Sequence, residues 1–163
     1  MSGVQQSVLL AADDGSLGPL LRVADDRLPP GAGYGGHEHR AVDVVAVVLA
    51  GSLRHRWGED AELGAGDVGV LRAGTGLAHD EVAGADGARV LQCYLRSADP
   101  AAPPSHGVRR AARGWVDLDR PDARLWVGAQ EDAEAPPGLR VEPGGGVLLV
   151  WQLDTGRPAW ARD

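Results

Sequence analysis

Two pairs of metal-capable side chains constrain this chain more than anything else in it. His37 and His39 lie in Gly35-Gly36-His37-Glu38-His39, and His79 and Glu81 follow in His79-Asp80-Glu81. Each pair is spaced i and i+2. Successive side chains on a β-strand point to opposite faces, so i and i+2 project the same way. Two such strands facing each other inside a barrel would bring three imidazoles and one carboxylate to one point, a donor set suited to a divalent metal.

The rest of the chain has the texture of an all-β protein. Its 163 residues suffice for one domain with a real core. The 24 Gly and 11 Pro are scattered between short apolar runs, and helical periodicity is scarce. Strands are expected at residues 7–12, 17–23, 44–50, 53–57, 67–71, 89–96, 115–118, 123–129, 139–142 and 146–153. Residues 25–31 and 62–66 read as a loop and a turn, Gly51 starts a turn, and Gly84 to Gly87 reads as a hairpin. Residues 97–104, rich in Pro and Ala, read as a linker or extended crossing, and the acidic stretch Glu131 to Glu134 as a solvated loop. Counting by twos from His37 puts His39, Ala41, Asp43, Val45, Val47 and Leu49 on one face, provided no bulge intervenes.

Charge and composition exclude some roles. The net charge of −7 argues against a general nucleic-acid binder, which would show a basic face. The longest apolar run, Val44 to Ala50, is far shorter than the roughly 20 residues that span a bilayer. The N-terminus lacks the basic start of a signal peptide, so a cytoplasmic location is expected. The single Cys93 can form no internal disulfide. All 16 basic residues are Arg, and Lys, Ile, Asn and Phe are absent, a bias that fits a GC-rich genome. The five Trp are expected to supply the bulk that Phe normally would.

The stretch from Asp25 to His106 resembles the N-terminal domain of the pirin family, a branch of the cupin superfamily, and within it the bacterial quercetinases. Members read G-[FY]-G-x-H-P-H-R, a Val-rich strand ending in L-x-G, then x-H-x-D-S, P-G-D and x-A-G-x-G-[IL]-x-H-x-E. Here the matching segments are Gly33 to Arg40, Val44 to Gly51, Leu53 to Trp57, Ala65 to Asp67 and Arg72 to Glu81. The resemblance implies a cupin-type barrel over residues 1–106, with 107–163 as strands packed on it, the remnant of a second cupin domain. It implies a divalent metal on His37, His39, His79 and Glu81, iron above Ni, Mn, Cu or Zn. Three departures stand out: Glu38 replaces the proline between the first two His, Trp57-Gly58 replaces Asp-Ser, and a full second barrel is missing. A homodimer would cover the edges that the missing barrel leaves.

Around the ligand set, His55 is a candidate base or orienting group. Asp43 is a candidate fifth ligand or substrate contact, and Tyr34, Leu53, Trp57, Cys93 and Tyr94 are candidate pocket residues. His106 is expected to be structural or exposed. Three functions fit. The first is a metal-dependent dioxygenase acting on a small enolic, flavonol- or polyketide-like molecule, with Glu81 taking the substrate's hydroxyl proton. The second is a cofactor-independent cyclase or isomerase of natural-product biosynthesis, using a pocket lined by Val47, Leu49, Leu53 and Trp57. The third, implied by the family alone, is an iron-responsive partner of transcription factors.

Overall fold

A computed structural model describes residues 3–156; Trp160 lies outside them. Twelve strands and no helix occur among these residues: β1 (Gln5–Ala11), β2 (Leu20–Leu28), β3 (His37–His39), β4 (Val42–Arg56), β5 (Ala61–Gly64), β6 (Val68–Arg72), β7 (Leu77–Arg96), β8 (Ser105–Arg109), β9 (Gly114–Val116), β10 (Ala123–Ala129), β11 (Leu139–Gly144) and β12 (Val147–Leu153). No helix is therefore long and apolar enough to cross a membrane.

Two long antiparallel strands, β4 and β7, form the spine. Val42–Gly51 pairs with Ala88–Arg96, and Leu53–Arg56 pairs with Asp80–Ala83. Around the first half lie β1, β2, β6 and β8; on the second half lie β3 and β5. The spine bends between its halves, which curls one continuous sheet into the barrel. Gly51 and Gly87 meet at the bend with φ of 70° and 74°. A Cβ on Gly51 would stand 2.0 Å from the Gly87 carbonyl oxygen, so only glycine fits this approach.

Several local expectations change here. Gly84 to Gly87 is not a hairpin. A hairpin needs its two flanks to pair with each other, and both flanks of this segment pair with β4 instead, so the four residues bulge out opposite Ser52. Gly51 likewise bends a strand rather than ending it. Residues 61–64, which overlap the turn expected at 62–66, form β5 against β4, and Asp67 caps its end by accepting from the Gly64 N–H at 2.9 Å. The expected loop at 25–31 is strand as far as Leu28. Asp25 and Asp26 are buried there, and Asp25 is held by a two-pronged bond from Arg89 at 3.1 and 2.7 Å.

The face count from His37 also fails, at Ala41. Its φ of 57° turns the chain between β3 and β4. The turn is held by the Ala41 N–H donating to the Gly74 carbonyl and the Ser97 N–H donating to the Ala41 carbonyl. Beyond it the faces are exchanged. Val44, Ala46 and Val48 point into the barrel, while Val45 and Val47 point outward with Leu49 packed beside them.

The outward face is where the largest core lies. β9 to β12 make a separate four-stranded sheet in the order β11-β12-β10-β9. Its Val116, Leu125, Val141, Leu149 and Trp151 pack against Leu20, Val23, Val45, Val68, Leu91, Cys93 and Leu95 of the barrel. Trp126 and Trp151 supply core bulk as expected, but Trp115 is exposed, with the Arg124 guanidinium 3.8 Å above its ring. The acidic loop 131–134 is largely exposed, as read from the sequence.

Candidate metal centre

β3 pairs with the start of β7 so that His37 stands opposite His79 and His39 opposite Leu77; one strand further on, Glu81 stands opposite His55 of β4. The i, i+2 rule then puts these side chains on the inner face. The metal-capable nitrogens of His37, His39 and His79 all lie within 4.8 Å of one another. Their ring centroids are 4.3 to 4.9 Å apart. His79 is buried, and His37 and His39 are partly open.

Two of the three rings are already oriented by their second nitrogen. His37 Nδ1 lies 2.8 Å from the Gly35 carbonyl oxygen, which can only accept, so this nitrogen carries the proton and Nε2 keeps its lone pair. His79 Nδ1 lies 2.8 Å from His55 Nε2, while His79 Nε2 is buried without a hydrogen-bond partner. A buried imidazole nitrogen left unpaired beside two other imidazoles is the arrangement a divalent metal would complete. The residues fit such an ion.

Glu81 lies next to this cluster but outside the set of converging nitrogens. Its carboxylate accepts from Gln92 Nε2 at 3.1 Å. The same amide reaches the Tyr34 hydroxyl at 3.4 Å, and that hydroxyl donates to Asp26 at 2.6 Å. Burial pushes the Glu81 carboxyl up to about 7. Burial raises Asp26 and Tyr34 as well. The imidazoles move the other way: burial, then neighbouring His37, lowers His79 to about 3, and burial lowers His55 and His106 to about 4. His39 is lowered by burial too. His39, His55, His79 and His106 are therefore neutral near pH 7, the state in which an imidazole can ligate a metal.

Of the other expected residues, Tyr34 and Tyr94 flank the cluster, with ring centroids 6.2 Å from His37 and 5.9 Å from His39. Trp57 packs with Tyr94 and Val42 on Val44, Leu71 and Leu77, near the His39 end. Leu53 is inside the barrel, fully buried among Ala46, Val48 and Leu63. His55 is behind His79, not beside the open side of the cluster. Cys93 does not line the pocket. Gln92 points inward, so its neighbour must point outward, and the thiol is sealed in the core between the two sheets. Asp43 is not a ligand candidate either. Its carboxylate is bound by Arg120 at 3.0 Å in a cluster with Asp122.

Sequence reasoning missed Asp26, Gln92 and the true place of His106. Gln92 had a signal, a lone polar residue inside the apolar run 90–95. His106 had none. It lies on β8, and its ring stacks on His55 at 3.7 Å between centroids and 11° between planes.

Comparison with known proteins agrees with this picture. A Zymomonas mobilis protein provisionally named quercetin 2,3-dioxygenase is 35% identical over 116 residues, 69% of this chain and 48% of its own length. The quercetin 2,3-dioxygenase of Escherichia coli is 28% identical over 111 residues, 64% of this chain and 48% of its own. The chain thus spans about half the length of the curated relatives it matches. Among solved structures, the bacterial pirin YhhW of Escherichia coli in complex with nickel(II) superposes with a TM-score of 0.70 at 18% identity, over 94% of this chain and 85% of that one. A quercetin 2,3-dioxygenase from Acinetobacter baumannii gives 0.57 at 22% identity, over 82% and 57%. These likenesses establish the cupin-type barrel. The Pirin family model matches residues 10–95, the span that carries both histidine strands and the β4–β7 spine as far as Leu95, and the chain belongs to the pirin family.

Proposed function

We propose that this protein holds a divalent metal, iron in the first instance, on His37, His39 and His79 with Glu81 as fourth ligand, and acts as a dioxygenase on a small enolic, flavonol- or polyketide-like molecule. The observation that carries this reading is the convergence of three imidazoles, two with their Nδ1 already bonded, beside a buried carboxyl. The names of the relatives and the nickel in one pirin structure support it. When bound, the metal supplies Lewis acidity and, if redox-active, access to O2.

The chain's own residues supply the rest. A carboxyl raised to about 7 is matched to taking a hydroxyl proton near neutral pH, and Glu81 is that group. Gln92 holds its Oε1, which fixes the direction from which the proton is taken. Tyr94 and Trp57 offer aromatic faces near His39 on which a planar substrate can stack. The substrate approaches from the half-open side of His37 and His39. Behind His79 the interior cavity, lined by Val44, Ala46, Leu63 and Leu71, is only about 10 Å³, room for a water at most. That small interior counts against a polyene or polyketide chain folding inside the barrel for cyclisation.

The test is elemental analysis of protein purified without chelator, followed by O2-uptake measurements with flavonols. One metal per chain, with O2 uptake that His79→Ala abolishes, is the expected result. Absence of metal from protein supplied with iron and nickel, or turnover indifferent to His79→Ala, overturns the reading. Product formation without metal or O2 would establish shape-driven cyclisation in its place.

A further inference from the structure

His55 and His106 play no part in the ligand set, yet they form a row with it. His79 is bonded to His55, and His55 is stacked on His106. We propose that His55, braced by the parallel ring of His106, is the positioning residue for His79: it accepts the His79 Nδ1–H and so turns the Nε2 lone pair toward the metal. The inference rests on the metal-centre reading above.

The geometry leaves two arrangements for the 2.8 Å bond between His55 Nε2 and His79 Nδ1. A neutral imidazole has one N–H and one lone pair. If His55 donated, the His79 proton would sit on Nε2 and point an N–H into the imidazole cluster, where a metal needs a lone pair; either arrangement leaves one buried N–H without a partner among the described residues, on His79 Nε2 or on His55 Nδ1. If His79 donates, its Nε2 lone pair points into the cluster, beside the nitrogens of His37 and His39. His37 reaches the same state through a different partner, because its Nδ1 is bonded to a carbonyl oxygen. Both rings then present Nε2, one fixed by backbone and the other by a side chain. A metal-ligating histidine almost always donates its other N–H in this way, to a carboxylate, a carbonyl or water. Here a second imidazole takes that place.

The backing is built. His55 is 3% exposed, and among the described residues its Nδ1 has no hydrogen-bond partner, so the bond to His79 is what orients its ring there. The flat face is fixed instead by His106, which β8 delivers opposite Leu71 of β6. Gly69 of β6 makes the room. A Cβ there would stand 3.2 Å from His106 Nε2 and 3.0 Å from Leu63 Cδ2, closer than side chains ordinarily pack.

Two measurements test this. The first needs no metal: two-bond proton–nitrogen NMR on the metal-free protein, with His79 assigned by comparison with His79→Gln. His79 should be protonated on Nδ1 in the wild type and lose that preference in His55→Ala. The second is nickel(II) affinity by competition with a chelator, alongside thermal melts of each metal-free variant. His55→Ala should weaken binding about 10–100-fold, the usual effect of removing a ligand's hydrogen-bond partner. His55→Gln, whose amide oxygen can accept the same N–H, should recover most of it, and His106→Ala should fall between. A wild-type His79 protonated on Nε2, a His55→Ala affinity equal to wild type, or a glutamine no better than alanine overturns the proposal. Failure of the wild type to bind nickel would overturn the metal reading instead, and the NMR result would then decide the tautomer alone.

Discussion

Replacing Arg120 with Met should be among the most damaging changes outside the metal centre. Arg120 precedes β10, and its side chain is 1% exposed. It donates through Nε and Nη2 to the two carboxylate oxygens of Asp122 at 2.6 and 2.9 Å, and through Nη1 to Asp43 of β4 at 3.0 Å. The cluster fastens the chain ahead of the C-terminal sheet to the barrel. Methionine keeps much of the apolar stem but takes the positive charge away from two buried carboxylates. Breaking a buried ion pair by removing one partner costs about 3–5 kcal/mol. At about 2–4 °C per kcal/mol for a chain of this size, the melting temperature should fall by roughly 6–20 °C. The loss should also depend on pH. Burial raises the Asp43 carboxyl even with Arg120 beside it, and losing the cation raises it further. A carboxyl raised in the folded state favours folding below its unfolded pKa, and that benefit is lost as pH rises through the folded value. The variant's deficit should therefore be largest near pH 7 and shrink on acidification toward 4. Urea melts at both pH values read this directly, and adding Asp43→Asn should recover part of the loss at neutral pH. A deficit under about 1 kcal/mol at pH 7, within the range of exposed ion pairs, or one that does not shrink on acidification, would refute the reasoning.

Three further outcomes follow from the same geometry. If Glu81 ligates as proposed, its carboxyl, pushed up to about 7, must shed a proton to do so; apparent metal affinity should then fall up to about tenfold per pH unit below 7, and Glu81→Gln should lose that component in a chelator competition run from pH 7.5 to 5.5. For the metal-free fold the sign is opposite: stability from the neutral Glu81 carboxyl is full below 4.5 and is lost as pH rises through about 7. Gly51→Ala puts a Cβ 2.0 Å from a backbone oxygen at positive φ, and should cost more than about 2 kcal/mol in a denaturant melt; a neutral result would mean that the β4–β7 bend is not sterically fixed. Cys93 is fully buried and its thiol is pushed well above its usual range, so thiol reagents should label it only after unfolding; rapid labelling of the native protein would place it elsewhere.

Much of the candidate metal centre was legible in the chain because it depends on a local rule. The i, i+2 spacing of His37 with His39 and of His79 with Glu81 fixes shared faces on any strand, and short apolar runs broken by glycine fix an all-β fold. These properties are set within a few residues, and tertiary packing preserved them. What lay beyond was decided by which strand pairs with which. Gly84 to Gly87 has the residues of a hairpin, but pairing of both its flanks with β4 makes it a bulge. Ala41 looks like any alanine, yet its left-handed turn exchanges the two faces of β4, which sends Val47 and Leu49 away from the site. Register on the neighbouring β7 likewise turns Cys93 outward. Asp43 is drawn to Arg120, a residue far along the chain that no spacing connects to it. His106 comes from beyond the proline-rich stretch and meets His55 because β8 pairs with β6. The sequence alone thus determined which side chains share the inner faces of β3 and β7. The tertiary structure decided what stands behind them, because the backing of a site is assembled from residues distant in the chain.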